Sequence, residues 1–220
     1  MNLASIEQAA GRIAPYVTRT PLVDSPWLSG LTGATVRLKL ETAQVTGSFK
    51  ARGAMHALLA LKDRAPEVDL VIAASAGNHG QALAWAGQTL GVRVRAYVPA
   101  YAAEAKKAAM RARGADVVET PDYDTAEADA RRAADAAGVP YVSPYNEGAI
   151  TPVTVRPTLA DALAGNLEAG SRTFPLVQHL VDGLALVAED SIAAAMRGLY
   201  RHHGLVTEGA GATATAALLQ

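Results

Sequence analysis

The chain predicts an α/β fold built on a parallel sheet, and three observations over residues 70–143 carry that prediction. Short apolar runs (Leu70–Ala74, Val92–Val98, Asp116–Val118, Val139–Ser143) alternate with alanine-rich stretches (80–90, 102–113, 124–137). Those stretches have helical length, whereas the apolar runs have strand length. Gly91, Gly114 and Gly138 stand where the helices should end, the position at which a left-handed residue closes a helix. Strands alternating with helices in this way mean βαβ units.

From the N-terminus, residues 4–15 read as a helix, with Ser5 as its N-cap and Ile6, Ala9, Ala10 and Ile13 on one face. Thr20-Pro21-Leu22 is extended, because a residue before proline is pushed out of the α region. Thr35–Leu40 sets Val36, Leu38 and Leu40 against Arg37 and Lys39, the alternation of a half-buried strand. Gly47 supplies a turn and Ser48 an N-cap, and the following residues to Leu61 read as helix. Beyond Ile150 the character changes. Thr151–Pro157 is proline-punctuated, and it leads to a helix at 158–165, a strand at 184–188, a helix at 190–202 and another at 209–219. Glu189-Asp190 suits the start of the third of these elements, where the helix dipole favours negative charge.

Bulk composition excludes several function classes. Half of the 220 residues are hydrophobic, 19 % are charged and the formal net charge is −1, so no electrostatic footprint for nucleic acid is expected. Cysteine is absent, which removes disulfides, thiolate metal sites and cysteine nucleophiles together. No apolar run approaches the ~20 residues of a membrane span, and Met1–Glu7 shows no basic segment leading into an apolar one. The expectation is a cytoplasmic protein with no membrane partner.

Two segments carry chemistry. In Thr46-Gly47-Ser48-Phe49-Lys50-Ala51-Arg52-Gly53-Ala54, Lys50 falls in the first turn of a helix, beside unpaired N–H groups and the positive dipole end. Such a place favours the neutral amine, the form that makes a Schiff base. On that argument alone a solvated lysine is the commoner outcome. Ala73-Ala74-Ser75-Ala76-Gly77-Asn78-His79-Gly80-Gln81 follows a strand and opens a helix. Its backbone amides therefore form an anion site at the carboxyl edge of a parallel sheet, although an ordinary strand–helix turn reads the same way.

Taken together, Ser48–Ala54 and Ser75–Gln81 resemble the pyridoxal 5'-phosphate (PLP) enzymes of the tryptophan-synthase-β type, fold type II, and among them the threonine/serine dehydratases. The likeness runs from about Ile13 to Ile150 and resumes from Pro152, taking in Thr158–Leu163, Thr173–Leu176 and Glu208-Gly209-Ala210-Gly211-Ala212. The resemblance implies a large-domain segment at 1–45, a small α/β domain at 46–145 and a large-domain remnant at 146–220. It implies that Lys50 carries PLP and removes the substrate's α-proton, that Phe49 packs beside the ring and that Asn78 bonds its phenolic oxygen. Glu208 would lie near the ring. The turn Ser75, Ala76, Gly77, Asn78 and His79 would take the substrate carboxylate. The implied reaction removes water from a hydroxy amino acid to leave an enamine, which hydrolyses to a 2-oxo acid and ammonia, and the implied assembly is a homodimer.

The chain also departs from that pattern. It has no Gly-Gly dipeptide, whereas the family holds the cofactor phosphate in a run of glycines. An internal deletion near Ile150–Thr151 accounts for this loss, for missing central strands and for the metal site of some relatives. The family's closing serine or cysteine with its glycines is also absent before Gln220. The alternatives are a catalytically impaired remnant, a hydroxyectoine-degradation-type dehydratase, or another PLP reaction such as threonine synthesis or β-replacement. Racemases of this fold place a second serine where Ala76 stands, and alanine cannot serve as acid or base. No metal site is expected: His202 and His203 are adjacent on a helix and point about 100° apart, so they read as a solvated helix end. Lys106, Lys107, Arg111 and Arg113 read as a solvated basic face, and Trp27 and Trp85 as packing residues.

Overall fold

A computed structural model describes residues 3–143, 158–163 and 179–220. Contacts divide the chain into two compact units, one of residues 1–20 with 41–144 and one of 21–40 with 145–220.

The first unit holds the expected parallel sheet. Strands β3 (Leu70–Ala74), β4 (Arg93–Pro99) and β5 (Asp116–Thr120) lie in sequence order. Leu70 pairs with Arg93, and Arg95 with Asp116. Because side chains alternate along a strand, β3 serves two cores. Val71 and Ala73 join Met55, Leu58, Leu83 and Met110 in one cluster, while Ile72 and Ala74 join Ala126, Ala130 and Ala134 in another. The first core is built by helices α3 (Lys50–Arg64) and α4 (Asn78–Leu90), together with α1 (Leu3–Ile13) and α5 (Glu104–Arg111). The second is built by α6 (Tyr123–Ala137), whose alanines at four-residue spacing present a small, flat stripe to the sheet.

Capping glycines fall where the sequence places them. Gly91 and Gly138 close α4 and α6 in the left-handed region at φ 66° and 62°, where a Cβ would be strained. Gly114, at φ 79°, lies two residues past the C-cap Ala112 of α5. The run at 139–143 contributes a single parallel bridge, Tyr141 with Ile72, rather than a full strand. Helix α1 starts at Leu3, so Ser5 lies inside its first turn instead of capping it. The cap expected at Ser48 is also displaced. Phe49 takes the N-cap position with helical dihedrals (φ −62°, ψ −18°), which leaves the Ser48 hydroxyl one residue too early to reach the helix amides.

In the second unit, β1 (Leu22–Asp24) and β2 (Arg37–Lys39) pair antiparallel around α2 (Pro26–Thr32). Helices α7 (Glu189–His203) and α8 (Gly209–Leu218) pack through Ile192, Ala195, Leu199, Ala212 and Ala216. Trp27 and Trp85 are packing residues of their respective units, as expected. The helix expected at 158–165 is a 3-10 turn at Asp161–Leu163, and 164–165 lie outside the described residues. The strand expected at 184–188 is not formed. Leu184 and Leu186 are 89 % and 95 % exposed, and a strand of that composition holds only between neighbours, which the described residues do not supply.

Leu83 is fully buried at the centre of the first core. Leu83→Ala is expected to cost about 2–5 kcal/mol through lost burial and a residual cavity, read as a lower urea midpoint with the slope unchanged.

Candidate functional site

The residues preceding α3 set its first turn. Gly47 at φ 71° turns the chain, and the buried hydroxyls of Thr46 and Ser48 have no hydrogen-bond partner. Lys50 opens the helix, half-buried, with its ammonium 5.4 Å from the centroid of the Phe49 ring. Removal from water pushes the Lys50 amine below its ordinary value of 10.5, because burial disfavours the charged form.

The turn between β3 and α4 is organised by Ser75. Its buried hydroxyl accepts from the amides of Gly77 (3.3 Å) and Gly80 (3.2 Å). Gly80 is obligatory there, since a Cβ would meet the Ser75 carbonyl oxygen at 2.5 Å and the Met110 sulfur at 2.7 Å. Gly77 is the N-cap of α4, and Asn78 and His79 are its first residues. The buried His79 ring, through Nε2, lies 3.2 Å from the Val142 carbonyl. Burial chiefly, partly offset by the Val142 carbonyl and helped by the Lys50 charge, brings its pKa down to about 4, so amine and imidazole lie within electrostatic reach of each other.

Phe49, Lys50 and the Ser75–His79 turn thus belong to one unit. Glu208 belongs to the other, as the N-cap of α8. Thr151–Pro157 and Thr173–Leu176 lie outside the described residues. His202 stacks on Trp27 at 4.6 Å, and His203 Nε2 lies 2.8 Å from the buried Ser25 hydroxyl, so neither is simply a solvated helix end. Lys107 likewise departs from the expected basic surface. It is 4 % exposed and sits on Glu119 (2.9 Å), Glu104 (3.0 Å) and the Ala100 carbonyl (3.2 Å). Its i−3 partner Glu104 is visible in the sequence, but Glu119 on β5 is not.

Sequence reasoning also missed an ion pair beside Lys50. Arg52 grips Glu41 with two nitrogens, Nη2 to Oε1 at 2.7 Å and Nε to Oε2 at 3.1 Å. The two residues are eleven positions apart, across a 3-10 turn at Glu41–Ala43, and no local pattern pairs them.

A family model described as pyridoxal-phosphate dependent enzyme matches residues 13–151 and again 140–220. The chain is 31 % identical over 290 positions to the biosynthetic L-threonine dehydratase of Mycobacterium tuberculosis, taking in 99 % of this chain and 67 % of that one. It is 30 % identical over 288 positions to the catabolic L-threonine dehydratase of Staphylococcus aureus, taking in 100 % and 83 %. Among solved structures it is similar to a threonine deaminase from T.th., with a TM-score of 0.88 at 28 % identity over 100 % of this chain and 92 % of that one. It is also similar to the serine racemase of Dictyostelium discoideum, with a TM-score of 0.87 at 25 % identity over the same shares. Alignments of 290 and 288 positions against 220 residues mean that the relatives carry sequence this chain lacks. The family match divides at 140–151, where the sequence reading expects the deletion.

The described residues fit the aldehyde-bearing end of that cofactor. A partly dehydrated amine, an adjacent aromatic ring and two buried hydroxyls without partners stand together at the start of α3. For the phosphate, the chain offers no run of glycines.

The His79 shift has a stability consequence. Its folded pKa of about 4 lies below the ordinary 6.5, so between those values the unfolded chain binds a proton that the folded chain refuses. Stability is therefore lost as pH falls through this window. His79→Gln should flatten the fall in urea midpoint between pH 6.5 and 4 relative to the unsubstituted protein.

Proposed function

Because the chain belongs to the pyridoxal-phosphate dependent enzyme family, we propose that it is a lyase that eliminates the β-hydroxyl of a hydroxy amino acid as water, after which the released enamine takes up water again and gives a 2-oxo acid and ammonia, with Lys50 as its cofactor lysine. The carrying observation is the Lys50 amine, half-buried, depressed by loss of water and electrostatically coupled to the first turn of α4. Threonine and serine are the substrates this reading favours, threonine being the one that the names of its relatives carry.

Each residue has a task. Lys50 Nζ would hold the cofactor at its aldehyde carbon, where the carbonyl oxygen leaves as water, and as a neutral amine, once released, it would accept the proton from the substrate α-carbon. Its depressed pKa enlarges the neutral fraction able to do both at neutral pH. Phe49 would lie against the ring, and Asn78 would bond its phenolic oxygen. Bound PLP supplies the electron sink for the pair left at the α-carbon. Ser75 spends its hydroxyl on the Gly77 and Gly80 amides, so the remaining amides of the Ser75–His79 turn serve the substrate carboxylate, helped by the N-terminal dipole of α4. His79 is neutral above about pH 4, so at working pH the depression of Lys50 comes from lost water rather than from a neighbouring imidazolium.

Ala76 favours elimination over racemisation. A racemase needs a second acid/base opposite Lys50, and a methyl group supplies none. The lack of consecutive glycines favours one second reading, a remnant that holds the cofactor weakly because its phosphate has too few fixed donors. A homodimer and a cytoplasmic setting belong to the main reading. Among the described residues no helix is long and apolar enough to cross a membrane.

Mixing the protein with PLP should produce the visible absorption of a lysine-bound cofactor, and Lys50→Ala should abolish it. A coupled assay should then detect 2-oxo acid from threonine or serine. Absorption without turnover would favour the remnant, and no absorption from a cooperatively folded protein would remove the cofactor assignment.

A further inference from the structure

Arg52 collects more polar contacts than any surface pairing requires. Beyond its two bonds to Glu41, its Nη2 donates to the Thr18 carbonyl at 3.2 Å and lies 3.3 Å from the Thr20 hydroxyl, which itself donates to Glu41 at 2.7 Å. Gln44 completes the arrangement. Its amide nitrogen donates to the Thr18 carbonyl at 2.9 Å, and its oxygen accepts from the Thr18 and Val45 amides at 2.9 and 3.0 Å. Three separate segments, 18–20, 41–45 and the first turn of α3, are thereby tied at one point. The Glu41 and Arg52 side chains are only 21 % and 32 % exposed, so water competes weakly for them. By contrast, the Arg93 and Asp69 side chains on the same unit are 69 % and 68 % exposed and meet through a single nitrogen.

We propose that the Glu41–Arg52 pair is a positioning device for Lys50, fixing the first turn of α3 so that the amine is held out of water facing α4. The inference rests on the reading of Lys50 given above. Arg52 and Lys50 are two residues apart on one rigid turn, so a backbone fixed at Arg52 by a planar, two-pronged grip is fixed at Lys50 as well. The pair is neutral as a unit and holds the turn without adding net charge beside the amine. Among the described residues, His79 of α4 and the Phe49 ring bear on the amine. From α1, Arg12 pairs with Asp63 at the far end of α3.

The test uses variants that keep every charge. Arg52→Lys loses the fork and Glu41→Asp loses one methylene of reach; Arg12→Lys perturbs α3 at its other end. In the full chain without added cofactor, the rate of Lys50 acetylation by acetic anhydride is followed against pH by peptide mass mapping, alongside Tm. Lys50 in the unsubstituted protein should titrate below an ordinary lysine. In Arg52→Lys and Glu41→Asp the midpoint should rise by up to about one unit, cutting labelling near neutral pH by about three- to tenfold, while Arg12→Lys lowers Tm without moving it. Should one variant fail to fold, the other decides. A depressed midpoint that stays put in both, with Tm lowered, overturns the positioning role and leaves the Lys50 assignment standing. An ordinary midpoint in the unsubstituted protein overturns both.

Discussion

A lysine can act as nucleophile and base only if it spends time without its proton, and in water at neutral pH it does not. The role proposed for Lys50 depends on that constraint. Lys50 stands at the beginning of α3, where the dipole opposes its charge and the surrounding fold removes part of its water. The same placement brings it within electrostatic reach of the first turn of α4, where Ser75 shapes the turn with its own hydroxyl. The amine and the Ser75–His79 turn are products of one packing arrangement.

That arrangement begins with β3. Its five residues divide between two faces, and each face is closed by alanine-rich helices that approach closely. Close approach leaves no slack at the carboxyl end of the strand, which is why Gly80 admits no Cβ. The position of the turn is therefore decided by core packing several residues away, and the chemistry inherits that precision. The second unit has its own core, and its exposed leucines at 184 and 186 keep the apolar composition of a strand without the neighbours a strand requires.

How much of this the sequence disclosed depended on range. The sheet, its helices and the capping roles of Gly91 and Gly138 follow from patterns a few residues long, and they stand in the structure. The region around Lys50 and Ser75–His79 was legible as two motifs, and their proximity came only from the resemblance. What stayed hidden involves partners distant in sequence. Arg52 with Glu41, Lys107 with Glu119 and His203 with Ser25 are set by tertiary packing, which no local rule encodes. The Ser48 cap failed for a subtler reason. A serine before a helix is a cap only when the next residue begins the helix, and Phe49 intervenes in the capping position. The strand at 184–188 failed because its neighbours are not supplied among the described residues.

The most direct measurement is to add PLP to the full chain, reduce with borohydride and map the labelled peptide. Label concentrated on Lys50 is the expected result. Label scattered over the surface lysines, with Lys50 unmodified in a folded protein, would contradict the claim that the fold prepares this amine for the cofactor.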